Sequence, residues 1–168
     1  MATSEYNTLA VEAINSLLDE INLKHDRDRF VVIGGSAMAA WGIKPLEGMD
    51  LDIAVTNDLR KDLKKRPRWY EAEFTPRQLD YCPPVANGVS AIMPPFGKEY
   101  EVTAEELVAE GIACGEAGYL YSPLFRILES KIALADMPAH RPLETERQHK
   151  HWRDVMLIVR YFLNNLES

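Results

Sequence analysis

Apolar residues recur at steps of three and four through Tyr6, Leu9, Ala10, Ala13, Ile14, Leu17, Leu18 and Ile21. That spacing predicts a helix from about Ser4 to Ile21 with one buried stripe. Phe30-Val31-Val32-Ile33 is a continuous, β-branched apolar run closed by Gly34-Gly35, the pattern of a buried strand. Ser36 to Trp41 is helix-prone, and Asp50 to Val55 reads as a second strand. Asn57 can cap a short basic helix reaching about Lys65. Tyr70–Thr75, Arg77–Cys82 and Val89–Met93 form three further strand candidates, punctuated by Pro76, Pro83-Pro84, Asn87-Gly88 and Pro94-Pro95. Thr103-Ala104-Glu105-Glu106 is a capping-box pattern opening a helix to about Ala113. A short strand is expected at Tyr119–Tyr121. Ser122-Pro123 then starts a helix to about Ala135. After the break from Pro138 to Pro142, a last helix is predicted from about Glu144 to Leu163, burying Trp152, Val155, Met156, Val159 and Phe162 or Leu163.

This order of elements predicts an α+β fold. One domain is expected over residues 1–168, with a core at about 25–121 and a helical C-terminal part at about 122–168. The 168 residues carry 46% hydrophobic and 27% charged side chains, which excludes a disordered or collagen-like chain. No apolar run reaches the ~18 residues of a membrane span, so no membrane partner is expected. The first residues lack the pattern of a secretory leader, and Cys82 and Cys114 form no disulfide framework. A reduced cytoplasmic setting is the expectation. A net charge of −7 argues against general nucleic-acid binding, which needs many Lys/Arg–phosphate contacts. One basic stretch runs against the total. Arg60, Lys61, Lys64, Lys65, Arg66 and Arg68 lie beside Trp69 and Tyr70, as either a guide for nucleic acid or triphosphate or a solvated helix.

The candidate chemistry sits in Gly34-Gly35-Ser36, thirteen residues of spacer, then Asp50-Leu51-Asp52-Ile53. Alternation along a strand puts Asp50 and Asp52 on one face and Leu51 and Ile53 on the other. Two carboxylates about 7 Å apart repel unless a positive charge lies between them. Mg²⁺, or Mn²⁺ in its place, suits such a pair, because it binds one or two carboxylates together with phosphate oxygens. Gly34 and Gly35 let backbone N–H groups approach an anion, and Ser36 adds a hydroxyl. Each half also has a plain reading, as a tight turn and as a solvated strand face. A phosphate cradle beside a metal-binding carboxylate pair is what nucleotidyl transfer requires.

This pattern resembles the signature of the DNA polymerase beta-like nucleotidyltransferase superfamily, most closely its minimal AbiEii-type members, which include toxins of toxin–antitoxin pairs. The resemblance implies a small mixed sheet of the nucleotidyltransferase type with an N-terminal helix and C-terminal helices. It implies transfer of an NMP group from an NTP to an acceptor hydroxyl on an RNA end, a protein or a small molecule, with an antitoxin protein as a further partner. Asp50 and Asp52 would hold the metal, and Gly34, Gly35 and Ser36 the phosphates. Members of this kind often carry a Lys before small apolar residues and an Asp on the final helix, matched here by Lys131 and Asp154. Lys131 would contact the triphosphate or Asp154. Its independent reading is a lysine on or beside an apolar stripe of Leu124, Ile127, Leu128, Ile132 and Ala135, paired, facing a cleft, or covering the core with its stem. Asp154 is otherwise a solvated residue near Arg153 or Lys150.

The sequence departs from the pattern just before Asp50. Leu46-Glu47-Gly48-Met49 stands where a basic residue and a Thr are common, and Lys44 is the nearest base. A third carboxylate is expected, with Asp80 as the first candidate and Glu101 as the alternative. A non-catalytic nucleotide-binding module is the alternative function. His149 and His151, two apart on a helix, diverge and are not read as a metal pair.

Overall fold

The computed structural model describes residues 6–46, 50–73, 75, 77–82, 88–94, 100–136 and 142–166, with 142–145 described by backbone alone. The start of the first helix at Ser4, the segment Glu47–Met49, the turn residues Pro76, Pro83, Pro84, Asn87 and Pro95, and the break beginning at Pro138 lie outside them.

The described residues form six α-helices and seven strands: α1 (Thr8–Glu20), β1 (Phe30–Ile33), α2 (Gly34–Ala40), β2 (Leu51–Val55), α3 (Asn57–Lys64), β3 (Trp69–Glu71), β4 (Gln78–Tyr81), β5 (Val89–Ile92), α4 (Ala104–Ala109), β6 (Ile112–Cys114), β7 (Tyr119–Tyr121), α5 (Leu124–Ala135) and α6 (Pro142–Leu166). The α+β class expected from the sequence is observed. The strands form one mixed sheet in the order β3-β4-β5-β2-β1-β7-β6. β1 runs antiparallel to β2 and parallel to β7, while β2 runs parallel to β5.

One face of the sheet carries the main core. Leu51, Ile53 and Val55 of β2 bury there with Phe30, Val32, Leu79, Tyr81, Val89, Ala91, Tyr119 and Tyr121. α1 covers it with Val11, Ile14 and Leu18, and α3 with Leu59 and Leu63. On the opposite face a smaller cluster of Val31, Ala54 and Leu107 lies under α4.

Several local expectations are corrected. In α1, Leu9 and Ala13 are exposed, while Val11 and Asn15 are buried. The helix is rotated because the Asn15 amide is needed inside: it accepts from the Tyr121 hydroxyl at 2.6 Å and donates to the Cys114 carbonyl at 3.1 Å. Thr56, not Asn57, caps α3, its hydroxyl accepting from the Leu59 N–H. α5 is capped at Pro123, one residue later than expected. The helix opened by Thr103 ends at Ala109 rather than near Ala113. Gly111 then approaches Leu120 so closely that a Cβ there would meet the Leu120 Cβ at 2.9 Å, and the unforeseen β6 pairs with β7. β3 covers Trp69–Glu71, shorter and one residue earlier than expected.

The largest correction concerns the last helices. Trp152, Met156, Val159, Phe162 and Leu163, expected inside, are exposed, and so is Ile132 of α5. Of the expected α6 face only Val155 is buried, together with Asp154 and Ile158. The helix turns its charged Asp154 inward because a paired cation waits there. Among the described residues no helix is long and apolar enough to cross a membrane.

The buried Asn15 bonds give a test of the fold. Asn15→Ala leaves the Tyr121 hydroxyl and Cys114 carbonyl without their partner, so urea unfolding should show a loss of about 2–3 kcal/mol. Tyr121→Phe should cost less, about 1–2 kcal/mol, because one bond is lost and no new cavity opens.

Candidate functional site

β2 lies between β1 and β5, and its register fixes what faces what. Asp52 stands opposite Ile33 on one side and Ser90 on the other, and Ser90 stands opposite Asp80. Paired residues share a sheet face. Tyr70 therefore joins the same row, opposite Asp80, and is 59% exposed. This is the face away from Leu51 and Ile53, as alternation predicts.

Gly34 follows Ile33 directly and has φ +64°, a conformation that favours glycine. A Cβ at this position would lie 3.5 Å from Asp52 Oδ2. Gly34 thus turns the chain from strand to helix while leaving open the space over the Asp52 carboxylate. Gly35 is partly exposed in the first turn of α2, where no side chain caps the helix. The buried Ser36 hydroxyl donates to the Asp50 carbonyl at 3.0 Å, tying α2 to the start of β2.

Asp50 is exposed and Asp52 half-buried. Burial, then the Asp50 charge and the Asp80 charge, push the Asp52 carboxyl up to about 6, with Lys131 opposing the rise. Among the described residues neither Asp50 nor Asp52 forms an ion pair. Two hard oxygen donors, crowded with like charge and short of a counter-ion, fit Mg²⁺ or Mn²⁺ better than a softer metal.

Asp80 sits two strand spacings from Asp52, roughly 10 Å between Cα atoms. Its Oδ1 accepts from Ser90 Oγ and from Gln78 Nε2, both at 2.8 Å. Glu101 is exposed in the segment before α4, not on a strand. Among the described residues, no group of three or more His, Cys, Asp or Glu side chains comes together to hold a metal ion.

The cationic half of the site comes from elsewhere in the chain. Lys131 Nζ is buried and lies 2.9 Å from Asp154 Oδ2. Lys44 Nζ reaches the same carboxylate at 3.0 and 3.2 Å. Burial raises the Asp154 carboxyl, but the two lysines outweigh it and hold the group below its ordinary value. Burial also lowers Lys44, with Asp154 opposing. His151 follows suit: burial and the Lys131 charge pull its imidazole down to about 4, leaving it neutral at physiological pH. Two ammonium groups sharing one carboxylate leave a net positive charge that Asp52 feels.

Sequence reasoning placed Lys131 and Asp154 at the site but gave Lys44 no partner, and it overlooked Ser90, Gln78 and Tyr70 as neighbours of Asp80. Register supplies that information for Ser90 and Tyr70, which leave no local signal, whereas Gln78 lies two residues before Asp80 on the same strand and alternation alone puts it on that face. The basic stretch is largely absorbed by structure. Arg66 pairs with buried Asp26 at 2.7 Å, Lys64 with Glu71 at 2.9 Å, and Arg68 stacks over Tyr81.

The raised Asp52 carboxyl sets a pH dependence. A carboxyl whose folded value exceeds its unfolded one favours the fold below about pH 4 and loses that contribution as pH climbs through 6. Asp52→Asn should therefore raise the thermal midpoint at pH 8 by about 3–6 °C, or about 1–2 kcal/mol. The gain should shrink as pH falls towards 4. Scanning calorimetry of both proteins from pH 4 to 8 measures it, and a gain independent of pH would show that Asp52 ionises normally.

In comparison with known proteins, no family model matches the chain, and neither a curated protein nor a solved structure matches it.

Proposed function

We propose that this protein is a metal-dependent nucleotidyltransferase on a sheet of the DNA polymerase beta-like type, moving an NMP group from an NTP to an acceptor hydroxyl. The observation that carries this reading is the placement of Gly34, at positive φ, directly against the crowded Asp52 carboxylate. A turn that keeps side-chain atoms away from a carboxylate pair makes room for a phosphate chain between backbone and acid.

Asp50 and Asp52 would hold Mg²⁺ or Mn²⁺, which when bound neutralises triphosphate oxygens and the charge growing on the leaving pyrophosphate. The chain's own groups do the rest. Gly34 and Gly35 present backbone to the phosphates, and Ser36 holds the Asp50 backbone in register. Lys131, with Lys44 sharing its counter-ion, offers positive charge to the triphosphate. Asp80, oriented by Ser90 and Gln78, would accept the proton of the acceptor hydroxyl as its oxygen bonds the α-phosphorus and the α–β bridging bond breaks. Exposed Tyr70, next in the row, offers a flat surface for a base. An RNA end as acceptor, a toxin role, an antitoxin partner and a cytoplasmic setting rest on the motif likeness and the sequence alone.

The lack of a three-carboxylate group among the described residues favours a second reading, a binding module without turnover. Calorimetry with each NTP, followed by label transfer from α-labelled NTP to cellular RNA, separates the two. Wild type should bind NTP only with Mg²⁺ or Mn²⁺ present, and Asp52→Asn should weaken binding at least 30-fold. Lys131→Met should keep its fold, because Lys44 stays on Asp154 and Met replaces the apolar stem. It should weaken binding about 10- to 100-fold, the worth of one charge-assisted contact. Binding without label transfer would favour the module. Metal-independent binding, or equal binding by Asp52→Asn, would reject both readings.

A further inference from the structure

The exposed side of α6 has an order of its own. Trp152, Met156, Val159, Leu163 and Leu166 are 45%, 59%, 36%, 57% and 80% exposed. Their spacing is four, three, four, three, the alternation that lets one helix pack along another. The seam continues from the core edge at Val155 round to Arg153 and Arg160, which are exposed. Phe162, 36% exposed, widens it on the core side. Single exposed apolar residues are ordinary, but a contiguous stripe matching the largest patch of a monomer, about 300–600 Å², marks an interaction site.

We propose that this seam pairs with the same seam of a second copy, the two α6 helices running parallel about a two-fold axis. In heptad terms Trp152, Val159 and Leu166 occupy d, and Met156 and Leu163 occupy a. Arg153 and Arg160 then fall at e, while Gln148, Val155 and Phe162 fall at g. Parallel pairing sets e against g of the partner, so Arg153 meets neutral Gln148, while Val155, buried in its own domain, leaves Arg160 facing no like charge. Antiparallel pairing sets e against e and would face arginine with arginine. From Lys150 to Leu166 the sole carboxylate is Asp154, and it is committed to Lys131 and Lys44. The stripe is narrow and the helix's other side is buried in the domain. Those features, with a net charge of −7, fit a helix partner better than an anionic lipid surface. Paired seams would bury about 1,000–1,200 Å², the lower end of stable interfaces, and α6 is already folded, so no ordering cost is added. Dimers dissociating in the range of tens of micromolar are expected.

Analytical ultracentrifugation of the full chain from about 5 to 300 µM tests the proposal. Wild type should pass from monomer to dimer, while Met156→Glu and Leu163→Glu should each weaken association at least 30-fold with unchanged thermal midpoints, since both side chains are exposed in the monomer. The orientation is read separately. With Cys82→Ser removing the accessible thiol, Val159→Cys should cross-link to itself through a short bis-thiol reagent, because d faces d in a parallel pair. A chain that stays monomeric at 300 µM overturns the proposal, even if its α6 binds anionic vesicles instead. So does a dimer indifferent to both glutamates, or one dependent on them that fails to cross-link at position 159.

Discussion

Everything at the candidate site follows from the burial of one side of β2. Leu51, Ile53 and Val55 enter the main core at the centre of a seven-stranded sheet. A strand can present alternate residues only to the opposite side, so Asp52 has no choice of direction, and Asp50 stands just before the strand begins. Slipping the register by one residue would drive Asp52 into the core and cost far more than any rearrangement could recover. The Asp52 carboxylate is therefore as firmly specified as the core itself.

That placement carries an electrostatic penalty that the chain meets at a distance. Asp52 has no direct ion-pair partner among the described residues, yet it feels Lys131, which is held in place by Asp154. Lys44, from the segment leading into β2, leans on the same carboxylate. A buried acid that binds two lysines keeps both ammonium groups in a region where either alone would be costly. The acidic and basic halves act on each other through charge, with no ion pair between them among the described residues.

Much of this was legible in the sequence where the signal is local. The strand Phe30–Ile33, the glycine turn and the alternation of Leu51 to Val55 all depend on neighbours along the chain, and they appear where the pattern puts them, although β2 begins at Leu51 and leaves Asp50 just outside it. Helix rotation was not legible. Asn15 and Asp154 turn inward because of hydrogen-bond partners at Tyr121, Cys114, Lys44 and Lys131, and hydrophobic periodicity counts such residues as outward-facing. The same rule made the α6 stripe look like core, since a seam awaiting a partner and a stripe facing its own domain share one periodicity. The strand β6 was missed because a three-residue strand after Gly111 has no pattern long enough to read.

The 110 residues that separate Lys44 from Asp154 also bear on how the molecule is made. Closing so long a loop is entropically slow, and β1 must likewise await β7 to gain its parallel neighbour. During synthesis the β1–α2–β2 unit can assemble early from contacts close in sequence. Lys131 and Asp154 emerge much later, so the acidic half of the cleft exists for a time without its basic half. A nascent chain at that stage has its carboxylates in place but lacks the positive charge that opposes the rise of the Asp52 carboxyl, and the site gains its balance only when α5 and α6 dock.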